Sequence, residues 1–337
     1  MNELASSALA SVLSAGLLCS LQDAGRPGLR RLGIAAGGAA DLHAYQLTCR
    51  LLSAAPGCAA LEIWQSGLHI EFHRPARIAA YGADAEIDCN GQRLALARPV
   101  ELPAGTRMRV RRLSRGSLFY LCVDGGWRAD FLMGSAATDL RAGFGGLHGR
   151  ALREGDQLFL AHPPRREVNS RDISSAPAWW LAPPPSIRRG SLPIRFLAAA
   201  QMAAQIEPFT AQSWRVGADS NRQGLRLQGT ALAAPAHGSL LSRAVLPGTL
   251  QLPPNGLPIV LGVDAQTIGG YPVMGQVIQA DLGLMAQCRP SSELRFQPVS
   301  LEQAVMAYRA QQAERARTEL AIEQALVHWR DAAHRVA

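Results

Sequence analysis

Alternation with a period of two runs through the first half of the chain. In LHIEF, Leu68–Phe72, three apolar side chains fall on one face and His69 and Glu71 on the other, the pattern of a half-buried strand. Residues 86–89 and 92–96 flank Asn90-Gly91, a dipeptide that favours the type I′ turn of a two-residue hairpin. Further strands are predicted at 76–81, 108–113, 118–123 and 157–160, and Asp41 is placed as the cap of a helix running to about Leu52. The second half predicts short strands at 194–197, 225–228, 239–242, 249–252, 259–263 and 294–298. Both halves therefore read as β-rich and barrel-like. Beyond Val299 the pattern changes: Ser300 and Gln303 have capping-box spacing, and the remainder to Ala337 lacks Pro and Gly, which predicts one long helix. Its apolar residues Leu301, Val305, Tyr308, Leu320, Leu326, Trp329 and Val336 form a broken stripe.

Composition adds a boundary and removes several chemistries. With 337 residues and 48% hydrophobic content, two cores are expected. The predicted division is 1–162 and 194–299, joined by a proline-rich linker at 163–193 in which Trp179 and Trp180 anchor against a neighbouring surface, with the helix over 300–337. All 34 basic residues are arginine. Without lysine there is no P-loop, no Schiff base and no biotin attachment point, so the arginines serve as anion binders or ion-pair partners. The net charge of +8 is dispersed in short doublets such as Arg30-Arg31, without an aromatic-interleaved stripe, so nucleic acid is not an expected partner. An acidic protein partner is. Six cysteines without a CxxC pair, no secretory leader pattern and no run of about 20 apolar residues predict a cytoplasmic protein outside the membrane.

Two segments concentrate polar groups where apolar runs stop. In residues 257–282, a predicted strand ends at Asp264, Gln266 and Thr267, followed by Gly269, Gly270 and Tyr271. Such a set suits an amide, lactam or ureido group, and equally a tight turn whose side chains bond local backbone. Gln22 and Asp23 lead into Gly25-Arg26-Pro27-Gly28, where Arg26 could grip a carboxylate or phosphate or staple the turn through Asp23. His69, Glu71 and His73 share a strand face, as metal ligands would, but also as any polar outer face does, and no metal site is assigned. Residues 143–149, GFGGLHG, carry His148 where a dinucleotide fingerprint needs glycine. That segment reads either as an anion-binding nest served by Arg141 and Arg150, or as a packed turn in which both pair with Asp139 and Glu154.

The longer motifs carry a resemblance. QDAGRPG (22–28), LGIAAGGAAD (32–41), ALE (60–62), GSAATDLRAGFGGLHGRAL (134–152), SNRQGLRLQG (220–229) and PGTLQLPPNGLPIVLGVDAQTIGGYP (247–272) resemble, in one order, the biotin-dependent carboxyltransferase family, also called KipA-like or allophanate hydrolase subunit 2-like, which includes the C subunit of 5-oxoprolinase. The family's SGAMD and DRMG are here GGAAD and NRQG, so Ala40 and Gln223 replace methionines beside motif residues. The resemblance implies a mainly β fold of two β-barrel-like, cyclophilin-like domains, with the helical C-terminal extension outside it. It implies a component of an ATP-dependent 5-oxoprolinase, opening a lactam to glutamate, or a related carboxyltransferase acting on a urea- or amide-like substrate. The partners would be the KipI-like and LamB/YcsF-like components of that 5-oxoprolinase, ATP would serve the complex with the subunit that holds it left open between this chain and a partner, and biotin would come only on another chain. The alternative is a regulatory protein that antagonises a KipI-like kinase inhibitor. On this reading Asp23 and Asp264 are the catalytic candidates. Gln22, Arg26, Asp41, Glu62, Arg141, Arg222, Gln251, Gln266, Thr267, Gly269, Gly270 and Tyr271 are the substrate-binding candidates, drawn from both domains onto one cleft.

Overall fold

The computed structural model describes residues 7–166, 168, 172–173, 177–184, 193–233 and 241–336. They form two compact units. One takes the described residues within Met1–Gly25, Leu42–Ile187 and Arg315–Ala337, and the other those within Arg26–Asp41 and Arg188–Glu314. The glycine-rich segment Arg26–Asp41 is thus built into the second unit although first-unit chain lies on both sides of it in sequence.

The first unit is one antiparallel sheet of nine strands: β1 (Ala10–Ala15), β2 (Leu18–Gln22), β3 (Ala60–Trp64), β4 (Leu68–Phe72), β5 (Ala76–Cys89), β6 (Gln92–Arg93), β7 (Pro99–Leu102), β8 (Thr106–Val123) and β9 (Gln157–Leu158). They run in the order β2-β3-β8-β4-β1-β9, with β5 joining β8 to β6 and β7. The LHIEF strand appears with Leu68, Ile70 and Phe72 fully buried. The hairpin is also as the sequence predicts: Cys89 pairs with Gln92, and Asn90 and Gly91 take φ of 50° and 85°, the positive pair that a type I′ turn requires.

Two pairs of predicted strands are single long ones. Residues 76–81 and 86–89 lie on β5, and residues 108–113 and 118–123 on β8. The join is made by a bulged bend at Gly82, φ 136°. A Cβ there would stand 2.7 Å from Phe119 Cα and 2.9 Å from Leu118 O, so only glycine lets the two strands approach this closely. Up to the bend β8 alternates buried Met108 and Val110 with exposed arginines; beyond it Leu118–Val123 is buried on both faces. Helix α1 (Leu42–Leu51) packs over β5 and β8, which explains a continuous apolar run where a one-faced strand would alternate.

The second unit holds β10 (Ile194–Ala198), α2 (Ala203–Ala211), β11 (Trp214–Val216), β12 (Gly224–Gln228), β13 (Arg243–Ala244), β14 (Thr249–Gln251), β15 (Ile259–Leu261), β16 (Ile268–Gly269), β17 (Val273–Val277), α3 (Leu282–Ala286), β18 (Glu293–Leu294) and β19 (Phe296–Pro298). Eight strands follow the order β18-β11-β12-β15-β14-β17-β10-β19, and β13 and β16 make a separate ribbon. The core centres on aromatics: Phe209 lies 4.7 Å from Phe296 and 5.6 Å from Phe196 between ring centroids. The predicted strand at 239–242 lies partly outside the described residues, as does the linker at 163–193; the strand seen beside the former is β13. Strands β3, β7, β11 and β17 and helix α2 were not anticipated from the sequence pattern.

Helix α4 spans Leu301–Val336. The capping box forms: Gln303 N–H donates to Ser300 Oγ at 3.2 Å, and Ser300 N–H to Gln303 Oε1 at 2.9 Å. Of the predicted stripe, Leu326 is buried, together with Ile322, whereas Leu301, Val305, Tyr308 and Leu320 are exposed. Arg315 donates to Gln46 and Glu319 pairs with Arg50 at 3.7 Å, fixing the distal half within the first unit. Of the linker tryptophans, Trp180 is exposed beneath the Arg98 guanidinium, 5.2 Å from its ring centroid. Trp179 is half-buried.

Candidate functional site

The candidate residues gather in two places, one per unit. In the first, β2 and β3 lie side by side, with Ser20 opposite Glu62 and Gln22 opposite Ala60. Glu62 is fully buried and accepts from Trp64 Nε1 at 2.8 Å and from the Tyr120 hydroxyl at 2.7 Å. Its charge, after burial itself, pushes the neighbouring Cys19 thiol up. Gln22 Nε2 donates to Ser20 Oγ at 3.0 Å and Thr138 O at 3.2 Å, while its Oε1 is buried without a partner. Asp23 accepts from Gly25 N–H (2.8 Å), the Ser135 hydroxyl (2.6 Å) and Ala136 N–H (2.7 Å). Three of a carboxylate's roughly four acceptor positions are thereby filled, so Asp23 ties the turn after β2 to the 135–138 segment. Losing the phenol of Tyr120 removes a charge-assisted donor from a buried carboxylate. Tyr120→Phe is therefore expected to destabilise the protein by about 1–3 kcal/mol, read as a lower denaturant midpoint; an unchanged midpoint would show that Glu62 does not depend on it.

In the second unit, Asp264 follows β15 and is held in a two-point ion pair. Arg222 Nε stands 2.7 Å from Oδ2 and Arg222 Nη2 3.0 Å from Oδ1, both side chains being buried. Arg222 Nη2 also donates to Gly38 O at 2.7 Å, and Gly37 N–H reaches Val263 O at 3.2 Å. These bonds draw the glycine-rich segment onto the end of β15. Gly37 has φ of 60°, and a Cβ on it would face Arg26 Nη1 at 3.5 Å and Asp264 Oδ1 at 3.9 Å. Two buried guanidinium groups and one carboxylate thus surround a backbone that carries no side chain. Asp41, also buried, accepts from Gln287 Nε2 at 2.9 Å.

A neighbouring arginine escaped the sequence reading. Arg30 was visible only as half of a basic doublet. Its Nη2 donates to Val245 O at 2.6 Å and Gln266 O at 2.9 Å, whereas Nε and Nη1 are buried without partners. Burial lowers its pKa from the ordinary range, though guanidinium stays charged. Gln251 Nε2 is likewise buried and unpartnered. A Cβ on Gly269 would lie 2.5 Å from Gln251 Nε2 and 3.5 Å from Val245 Cγ1, so Arg30 and Gln251 flank Val245 at the β13–β16 ribbon. Their unused N–H groups suit one or two oxygens of an anion or a polarised carbonyl.

The other candidates are placed differently. The Gln266 side chain is exposed, and Gln266 and Thr267 enter these bonds through their carbonyls, to Arg30 and to Val245 N–H. Gly270 and Tyr271 are exposed, and Tyr271 lines a pocket with Asp219, Arg226, Gln228 and Asn255, whose lining includes neither Arg30 nor Asp264. Arg141 is exposed. The glycine-rich turn beside it is internally satisfied, because Asp139 accepts from Arg141, Ala142 and Gly143 N–H. Arg150 pairs two-point with Asp156 at 2.7 and 2.8 Å, rather than with Asp139 or Glu154. That is the packed-turn reading with a different acid. On the strand face, Glu71 pairs with Arg107 at 3.3 Å and His73 bonds Ser11. Among the described residues the group with metal-ligand proximity is instead Cys49, Cys58 and Cys122.

With that geometry in place, comparison with known proteins is direct. Residues 32–298 match the model of the carboxyltransferase domain, subdomains A and B. The chain is 35% identical over 301 residues to the 5-oxoprolinase C subunit of Escherichia coli K12, covering 89% of this chain and 94% of that one. It is 34% identical to its Haemophilus influenzae namesake, at 85% and 89% coverage. Among solved structures, urea amidolyase of Kluyveromyces lactis superposes over 92% of this chain with a TM-score of 0.79 at 26% identity. This chain spans only 20% of that larger protein. The matched region contains both Arg222–Asp264 and Arg30's partners, and by this correspondence over most of its length the chain belongs to the carboxyltransferase domain family, subdomains A and B.

Proposed function

We propose that the chain is the C subunit of an ATP-dependent 5-oxoprolinase, in which a lactam is opened to glutamate. The observation that carries this reading is the 35% identity extending over 94% of a protein named for that role. The second unit supports it chemically. Substrate would be held by Arg30 and Gln251, whose spare donors suit the carboxylate or ring carbonyl of 5-oxoproline, while Arg222, Asp264 and Arg26 set the backbone segment that carries Arg30. In this account Asp23 and Asp264 hold the framework, with donors engaging both oxygens of each carboxylate. A fixed donor array aimed at an oxygen that gains charge is the usual way such a site lowers a barrier.

The residues do not fit a phosphate cradle for ATP. The chain has no lysine, and the N–H groups of Arg141, Ala142 and Gly143 in its glycine-rich turn are taken by Asp139. We assign ATP to the KipI-like or the LamB/YcsF-like component of the complex, and biotin, if the chemistry uses it, to another chain. A cytoplasmic setting agrees with six free cysteines. Among the described residues no helix is long and apolar enough to cross a membrane.

The test is reconstitution. Co-expressed with the KipI-like and LamB/YcsF-like components, the chain should co-purify, and ATP hydrolysis should depend on both 5-oxoproline and this chain. Turnover that persists without the chain would overturn the proposal. Tight binding to the KipI-like component with no turnover in the complete mixture would favour the regulatory role.

A further inference from the structure

Three cysteines far apart in sequence meet in the first unit. Cys49 sits on α1, Cys58 in the loop before β3, and Cys122 near the end of β8. Cys58 Sγ lies 3.3 Å from Cys49 Sγ and 3.8 Å from Cys122 Sγ, and all three sulfurs fall within 4.8 Å of one another. Three sulfurs bound to one zinc ion at about 2.3 Å with tetrahedral angles would lie about 3.8 Å apart, so very little movement separates this cluster from a ligand set.

The frame is rigid where a site needs it. Cys49 and Cys122 are buried on a helix and a strand. Cys58 is fixed through its backbone, its N–H donating to Ala55 O at 3.2 Å and its carbonyl accepting from the Tyr45 hydroxyl at 2.7 Å. Cys58 is also the half-exposed member, which gives an ion a way in and leaves room for a water ligand. We propose that Cys49, Cys58 and Cys122 bind one zinc ion as a three-thiolate site, with water as the fourth ligand.

The charges suit a divalent ion. Three thiolates and Zn²⁺ sum to −1, and the Arg165 guanidinium acts electrostatically on the Cys58 sulfur, offsetting the remainder. Binding replaces three S–H bonds with three S–Zn bonds and releases three protons to solvent. No oxidant is required. Thiolate sulfur is a ligand class that zinc accepts. The site is independent of the proposed 5-oxoprolinase chemistry, and its test needs no activity.

The experiment titrates the reduced, metal-free full-length chain with Zn²⁺ against a chromophoric chelator, and separately with Co²⁺ as a spectroscopic substitute. One equivalent should bind, with thiolate-to-cobalt charge-transfer absorption. Cys58→Ser should weaken zinc by about 100-fold or more, and Cys49→Ala should do likewise. Cys288→Ala should leave binding unchanged. Because Cys58 is half-exposed, its serine variant should fold, and zinc should raise Tm in the wild type but not in that variant. The proposal is overturned if no equivalent of zinc binds, if Cys58→Ser binds as the wild type does, or if the cobalt spectrum lacks thiolate character, in which case the three thiols pack only as small apolar side chains.

Discussion

Arg222→Ala should lower the stability of the protein by about 3–5 kcal/mol, because it removes a buried two-point guanidinium partner from the Asp264 carboxylate. The pair is closed on both sides: two N–H donors of Arg222 engage both oxygens of Asp264, and one of them also holds Gly38 O. Removing the guanidinium therefore takes its bond from Gly38 O, leaving the Gly37 N–H to Val263 O bond, and takes two donors from the acid. Arg222→Lys should rescue little, since an ammonium cannot reproduce the planar fork. The double variant Arg222→Ala, Asp264→Ala should recover part of the loss, with a coupling of about 0.5–3 kcal/mol, because the buried carboxylate goes with its two-point partner. Urea unfolding of the four proteins measures this directly. Strictly additive losses would mean that the two side chains contribute separately and that the frame around Gly37 is held by something else.

Local signals were the legible ones. The LHIEF alternation, the Asn90-Gly91 turn and the Ser300–Gln303 cap each lie within a few residues, and each appears as the sequence predicts. Long-range arrangements were not legible. The two halves of β5 look like separate strands because the bulge at Gly82 breaks the period, and the close approach that requires this glycine comes from Phe119. Nothing in residues 26–41 signals that they fold with chain nearly 200 residues later, since the bonds responsible run from Arg222 and to Val263. The site residues divide in the same way. Arg26, Arg222 and Asp264 were found from motifs and come together, whereas Tyr271 and Arg141 were found from motifs and do not join them. Gln251 was also found from a motif, whereas Arg30 owes its interest to unpartnered N–H groups, a property only packing reveals. The three thiols are 9 and 64 residues apart, spacings that match no short metal motif.

The central claim is that Arg30 presents substrate-binding donors from a frame built by Arg222 and Asp264. Arg30→Met keeps an unbranched stem and removes the charge, so the chain should fold and assemble. It also sacrifices bonds to two carbonyls, Val245 O and Gln266 O, so a modest loss of Tm is expected. Loss of a preorganised donor at a charge-bearing oxygen should reduce kcat/KM by about 100-fold or more. Gln251→Leu, removing a neutral donor, should reduce it by about 10-fold. The decisive measurement is kcat/KM for 5-oxoproline-dependent ATP hydrolysis by the reconstituted complex carrying Arg30→Met, with assembly checked by co-purification. A fall of that size in an intact complex is the predicted result; a value equal to that of the wild-type complex would contradict the account.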